Sequence, residues 1–118
     1  MNNSKHSGLN KWIHAVHAKN PDEVVACYTK DAVLLPTVSN RLCFTPEQRR
    51  AYFIKFLSKE PRCHVMSLDV KSLTKEIDVL SGTYRFQFID LSEAIARFSY
   101  VFQKDFILQH HSSLMPEN

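Results

Sequence analysis

The second half of the chain constrains the fold most. Met66, Leu68 and Val70 alternate with Ser67, Asp69 and Lys71, the period-two signature of a strand. Three further runs follow, Ile77 to Phe88, Ala94 to Phe102 and Phe106 to Ser113, rich in β-branched and aromatic residues. The links between the runs are short: Thr74-Lys75-Glu76, then Ile89 to Glu93, then Lys104-Asp105. Links of that length do not carry a parallel crossover, so the strands form an antiparallel meander.

The first half has a different period. Leu9, Trp12, Ile13 and Val16 recur at i, i+3, i+4 and i+7, one face of an amphipathic helix. Asn20-Pro21-Asp22-Glu23 opens a second helix, with Asn20 as cap, Pro21 at the first helical position and Glu23 able to close a capping box. Its buried side is expected to be Val24, Val25 and Tyr28. Ala32 to Leu35 is a short strand stopped by Pro36, and Thr37 to Phe44 is a polar loop. Thr45-Pro46-Glu47-Gln48 repeats the capping pattern and predicts a third helix from Pro46 to about Ser58, with Tyr52, Phe53, Phe56 and Leu57 as its apolar stripe. The pair Arg49-Arg50 at its start is expected on a solvated face. Helices followed by a meander make an α+β fold, and 118 residues fit one domain, 1–118, around a single core.

Alternation sorts the meander residues into two sides. Phe98, Tyr100 and Phe102 share one side of the third run, while Ile95, Arg97, Ser99 and Val101 share the other. In the second run Tyr84, Phe86 and Phe88 oppose Thr83, Arg85 and Gln87. Three helices cover one face of such a sheet, so the aromatic surplus is expected to meet a second copy of the chain. A strongly curved sheet that wraps its own helices is the alternative.

Charge and composition exclude several classes. The formal net charge is +3, from 15 basic and 12 acidic residues, too small and scattered for a nucleic-acid groove or a membrane-surface patch. No run approaches the roughly 20 apolar residues of a membrane span. Met1 to Gly8 lacks the apolar stretch of a signal peptide, and Cys27, Cys43 and Cys63 are widely spaced, so three reduced thiols in a cytoplasmic protein are expected. No cofactor and no metal is called for. With glycine only at 8 and 82, a phosphate cradle of backbone amides is improbable. His14 and His17 share a helix face without a third ligand at compatible spacing, and Cys63 and His64 diverge as strand neighbours.

Several segments together resemble a known family. They are Trp12 in the first helix, Tyr28-x-x-Asp31-Ala32-Val33-Leu34-Leu35-Pro36-Thr37, Tyr52-Phe53-x-x-Phe56-Leu57, Gly82-x-Tyr84-x-Phe86, Ala96-Arg97-Phe98-Ser99-Tyr100 and His110-His111-Ser112-Ser113-x-Met115-Pro116-Glu117. In this order and spacing they are similar to the nuclear transport factor 2-like superfamily, and within it to the association domain of calcium/calmodulin-dependent protein kinase II and its stand-alone bacterial relatives. The resemblance implies a cone-like fold, a curved antiparallel sheet around the N-terminal helices with a pocket at the open end. It also implies self-association through the sheet, as dimers or larger rings. Nothing in the chain resembles a kinase, since it has neither room for a catalytic domain nor a glycine-rich phosphate loop.

The expected pocket residues are Arg97, Ser99, Tyr84, His110, His111, Trp12 and Tyr28. Neighbouring side chains on a strand point apart, so only one of His110 and His111 enters any one site. Arg97 lies mid-strand in a segment expected to be buried, and a buried guanidinium needs a partner. The matching arginine of the family faces the pocket and meets a carboxylate, so a small carboxylate ligand is one expectation; an internal salt bridge to Asp31 or Asp69 is the other. An enzyme of the SnoaL-like or ketosteroid-isomerase-like type is the competing function. Against it, Leu35 stands where the isomerases of this superfamily place an aspartate base.

Overall fold

The computed structural model describes residues 6–37, 39 and 41–115. The chain opens with α1 (Ser7–His17), capped by His6, whose Nδ1 accepts the Leu9 N–H at 3.3 Å. Leu9, Trp12, Ile13 and Val16 are all buried, as their spacing predicts. In α2 (Pro21–Ala26) the Asn20 side chain accepts the N–H groups of Asp22 and Glu23. Val24 is buried there, Val25 is half-buried, and Tyr28 already belongs to β1 (Tyr28–Leu35). α3 (Pro46–Leu57) starts with the predicted capping box of Thr45 and Gln48.

β2 (Arg62–Ser72), β3 (Ile77–Gln87), β4 (Glu93–Gln103) and β5 (Phe106–Leu114) form the predicted antiparallel meander. β1 joins the same curved, unclosed sheet beside β5, in parallel, giving the order β1-β5-β4-β3-β2. α3 and the strands β2 to β4 lie between β1 and β5 along the chain and supply the length that a parallel connection requires.

The aromatic row is where expectation and structure part. Phe98, Tyr100 and Phe102 do not face a second copy. They are buried inside the single chain, with Leu80, Tyr84 and Phe86 of β3 and Ile107 of β5. Trp12 of α1 lies against Tyr84, Tyr100 and His110, so one helix occupies the hollow of three strands. The sheet curves around α1, and curvature lets a single layer of helix consume the aromatic surplus. Curvature is set in part at Met66, which the β2–β3 pairing skips as an extra residue. Just beyond the skipped residue Gly82 pairs with Leu68 and has no room for a Cβ, which would run into the Ser67 carbonyl oxygen.

Arg49 is a second correction. It is buried, while its neighbour Arg50 is exposed and pairs with Asp22 at 2.8 Å. The reason lies in β1, whose pairing jumps from Tyr28 opposite Ile107 to Val33 opposite Gln109. The intervening carbonyls are displaced from the ladder and need donors. The Arg49 guanidinium supplies them, to Ala32 O at 2.6 Å and to Thr29 O and Lys30 O at 2.9 Å each. A charged fork satisfies three carbonyls that no sheet neighbour reaches.

Candidate functional site

The interior polar site grows from strand parity. Tyr84 on β3, Tyr100 on β4 and His110 and Ser112 on β5 all face inward at one level of the sheet, because His110 sits opposite Tyr100 and Ser112 opposite Phe98. β1 adds Tyr28 from its irregular start, and α1 adds Trp12. The Arg49 guanidinium lies 5.6 Å from the centre of the Tyr28 ring, so the clamp on β1 also fixes that ring.

These groups form one hydrogen-bonded chain. The Trp12 indole N–H donates to the Tyr28 hydroxyl at 3.1 Å. Tyr28 in turn meets His110 Nδ1 at 2.8 Å, and His110 Nε2 meets the Tyr84 hydroxyl at 3.2 Å. Tyr84 donates to Ser112 Oγ at 3.1 Å, and Thr37 donates to the same oxygen at 2.6 Å. Since Tyr84 spends its proton on Ser112, His110 must donate through Nε2–H, and Nδ1 accepts from Tyr28. Trp12, Tyr28, His110, Tyr84 and Ser112 are thus used in series.

Burial decides the electrostatics. The His110 imidazole is enclosed by Tyr100, stacked at 3.9 Å, and by Trp12 at 5.6 Å. Desolvation, with the adjacent His111 adding to it, pushes its pKa down to about 3, so it is neutral. Burial likewise raises the Tyr28, Tyr84 and Tyr100 hydroxyls well above the ordinary tyrosine range. The site is a neutral polar circuit in an apolar wall. The space beside it, lined by Trp12, Thr37, Tyr52, Phe56, Phe86 and His110 among others, holds about 10 Å³. That is at the lower limit of what one water requires.

The structure therefore divides the expected pocket residues. Trp12, Tyr28, Tyr84 and His110 come together inside the cone. Arg97, Ser99 and His111 are exposed on the opposite face of the sheet. The expectation that Arg97 is buried and faces the pocket beside Ser99 is thus corrected. The alternation that separates Arg97 from the aromatic row is right, but the aromatic side is the inside. Of the two neighbouring histidines, His110 enters and His111 does not. Thr37, Tyr100 and Ser112 were absent from the expected set, although Ser112 lies two residues from His110 and parity alone puts it on the same face. Pro116 and Glu117, part of the C-terminal motif, lie outside the described residues. Cys27, Cys43 and Cys63 are free thiols. Among the described residues no helix is long and apolar enough to cross a membrane.

Comparison with known proteins gives one family. Residues 7–116 match the calcium/calmodulin dependent protein kinase II association domain family. A solved association domain of that description from Xanthomonas campestris is 31% identical, with a TM-score of 0.89 over 100% of this chain and 97% of that one. An NTF2-like protein of unknown function from Pseudomonas putida shares the fold at 13% identity, with a TM-score of 0.79 over 94% of this chain and 83% of that one. A ketosteroid isomerase-like protein from Erwinia carotovora atroseptica shares it at 10% identity, with a TM-score of 0.75 over 94% and 93%. No curated protein matches the chain.

Proposed function

The chain belongs to the calcium/calmodulin dependent protein kinase II association domain family, of NTF2-like fold, and from that premise we propose that it is a non-catalytic, self-associating domain. The observation that carries the reading is the closure of the interior. His110 is the inward group best suited by type to acid–base work, yet each of its nitrogens is engaged by a tyrosine hydroxyl. A general base needs a free lone pair near the substrate and a pKa near the working pH. His110 offers neither, and the cavity beside it is smaller than a substrate. An isomerase base is missing at Leu35 as well, which is half-buried on β1 in register with His111.

A closed interior joined by a chain of hydrogen bonds supports a rigid shape, and a rigid shape is what a subunit brings to an assembly. The expected carboxylate loses its interior anchor, because Arg97 lies outside the cone and the cavity walls carry no cationic side chain. The proposal therefore contains self-association and no anionic ligand inside the cone. Light scattering coupled to size exclusion at micromolar concentration should give a mass of two chains or more. A single-chain mass overturns the self-association. Robust isomerisation of a 5-ene-3-ketosteroid, abolished by His110→Gln, overturns the non-catalytic reading.

A further inference from the structure

We propose that the cleft between the end of α1 and the β3–β4 hairpin binds a small zwitterion, an α-amino acid with an apolar side chain. The site lies outside the cone and goes beyond the self-association reading.

The cleft holds about 450 Å³, within the range of small-molecule sites. Its charges are of two kinds. Lys19 and Glu60 satisfy each other in an ion pair. Arg62 and Glu93 are both exposed, and neither makes an ion pair among the described residues. Strand register holds them apart. Arg62 of β2 lies opposite Gln87 of β3, and Gln87 lies opposite Glu93 of β4. Two strand spacings make about 10 Å, and side chains stand roughly perpendicular to a sheet, so the two charges do not meet directly. An α-amino acid bridges such a gap, with a contact of about 2.8 Å at each end and roughly 3 Å between its own ammonium and carboxylate. Gln87 donates to one carboxylate oxygen of Glu93 at 3.0 Å and leaves the other for the ammonium. A simple anion would leave Glu93 unanswered, and a simple cation would leave Arg62 unanswered.

A second donor joins Arg62 at the carboxylate end. The Cys63 N–H donates to His17 Nε2 at 2.9 Å and ties the end of α1 to β2. Burial first, and the Arg62 charge next, lower the His17 pKa, so the ring is neutral and its proton sits on Nδ1. No acceptor among the described residues meets that Nδ1–H. His17 and Arg62 line the same cleft, so one carboxylate can take both donors. The ligand's side chain also has a place. Pro61 is buried and Phe88 half-buried along the cleft, and Ile89 and Leu91 extend this apolar wall outward.

Titration of isotope-labelled protein with L-phenylalanine, followed by nuclear magnetic resonance, tests the site. One control is L-phenylalaninol, which lacks the carboxylate; the other is N-acetyl-L-phenylalanine, which lacks the ammonium. Phenylalanine should shift the amide signals of Cys63 and Phe88 saturably. Each control should bind about fivefold more weakly, the usual upper worth of one exposed ion contact. Arg62→Gln should bind phenylalanine and phenylalaninol alike, and Glu93→Gln should bind phenylalanine and its N-acetyl derivative alike. Both positions are exposed, so neither change threatens the fold, and far-UV circular dichroism confirms it. These outcomes are independent of the mass measured by light scattering. No saturable shift at Cys63 and Phe88, up to the solubility of phenylalanine, overturns the site. Equal binding of the three compounds to the wild type overturns the zwitterion. Discrimination that survives in Arg62→Gln or Glu93→Gln overturns the part assigned to that residue.

Discussion

Acidification should unload this fold through His110. The perturbation is proton uptake by an imidazole whose folded pKa is pushed down to about 3 against an ordinary value of 6.5. The folded state resists the proton and the unfolded chain takes it. Stability from this group is therefore complete above the unfolded pKa and is lost as pH falls toward the folded one. Each pH unit within that window removes about 1.36 kcal/mol, so a drop from neutral pH to about pH 5 removes about 2 kcal/mol. His17 contributes in the same direction, its pKa being lowered by burial and by Arg62, so the effect of His110 must be isolated by difference. Urea unfolding of the wild type and of His110→Gln, at fixed protein concentration from about pH 7.5 to about pH 5, gives that difference. The variant starts less stable, because Tyr28 and Tyr84 lose their shared partner, but its pH slope should be shallower. Nuclear magnetic resonance supplies a direct check: the His110 ring signals of the folded protein should not move over this range. Equal slopes in the two proteins, or a His110 signal titrating near pH 6.5, would refute the account of a desolvated neutral imidazole.

Two further outcomes follow from the backbone. Arg49→Met should cost about 3–5 kcal/mol by denaturant unfolding, since three carbonyls of β1 lose their donor, and Arg49→Lys should recover little because an ammonium does not span them. Arg50→Met, one residue away, should cost under about 1 kcal/mol, its exposed pair with Asp22 being worth no more; equal costs for the two arginines would contradict the clamp. Gly82→Ala should lower stability by about 2 kcal/mol or more, because the new methyl meets the Ser67 carbonyl where the strand is bulged, and a neutral result would mean that the bulge relaxes freely.

The meander, the capped helices and the two sides of β3 and β4 were legible in the sequence, because each depends on neighbours within a few residues; on the edge strand β2 the alternating row does not become a buried face, since Met66 and Val70 are exposed. Pro21 and the Thr45–Gln48 box act locally, and short links leave antiparallel pairing as the outcome. Period two likewise separates His110 from His111 and Arg97 from Phe98 with no knowledge of the fold. What alternation leaves open is which side becomes the inside. That depends on how far the sheet bends around α1, and the bend depends on long-range features such as the skipped residue at Met66 and the bare backbone at Gly82. The same limit explains Arg49 and Arg50. As neighbours at the start of one helix they carry the same local signal. Only the displaced carbonyls of Thr29, Lys30 and Ala32, brought across by the packing of β1 on α3, give one of them a reason to be buried. Tertiary structure thus turned an expected cationic pocket into a neutral one: the large aromatic side fills the hollow of the sheet, and a guanidinium with no interior partner stays in water.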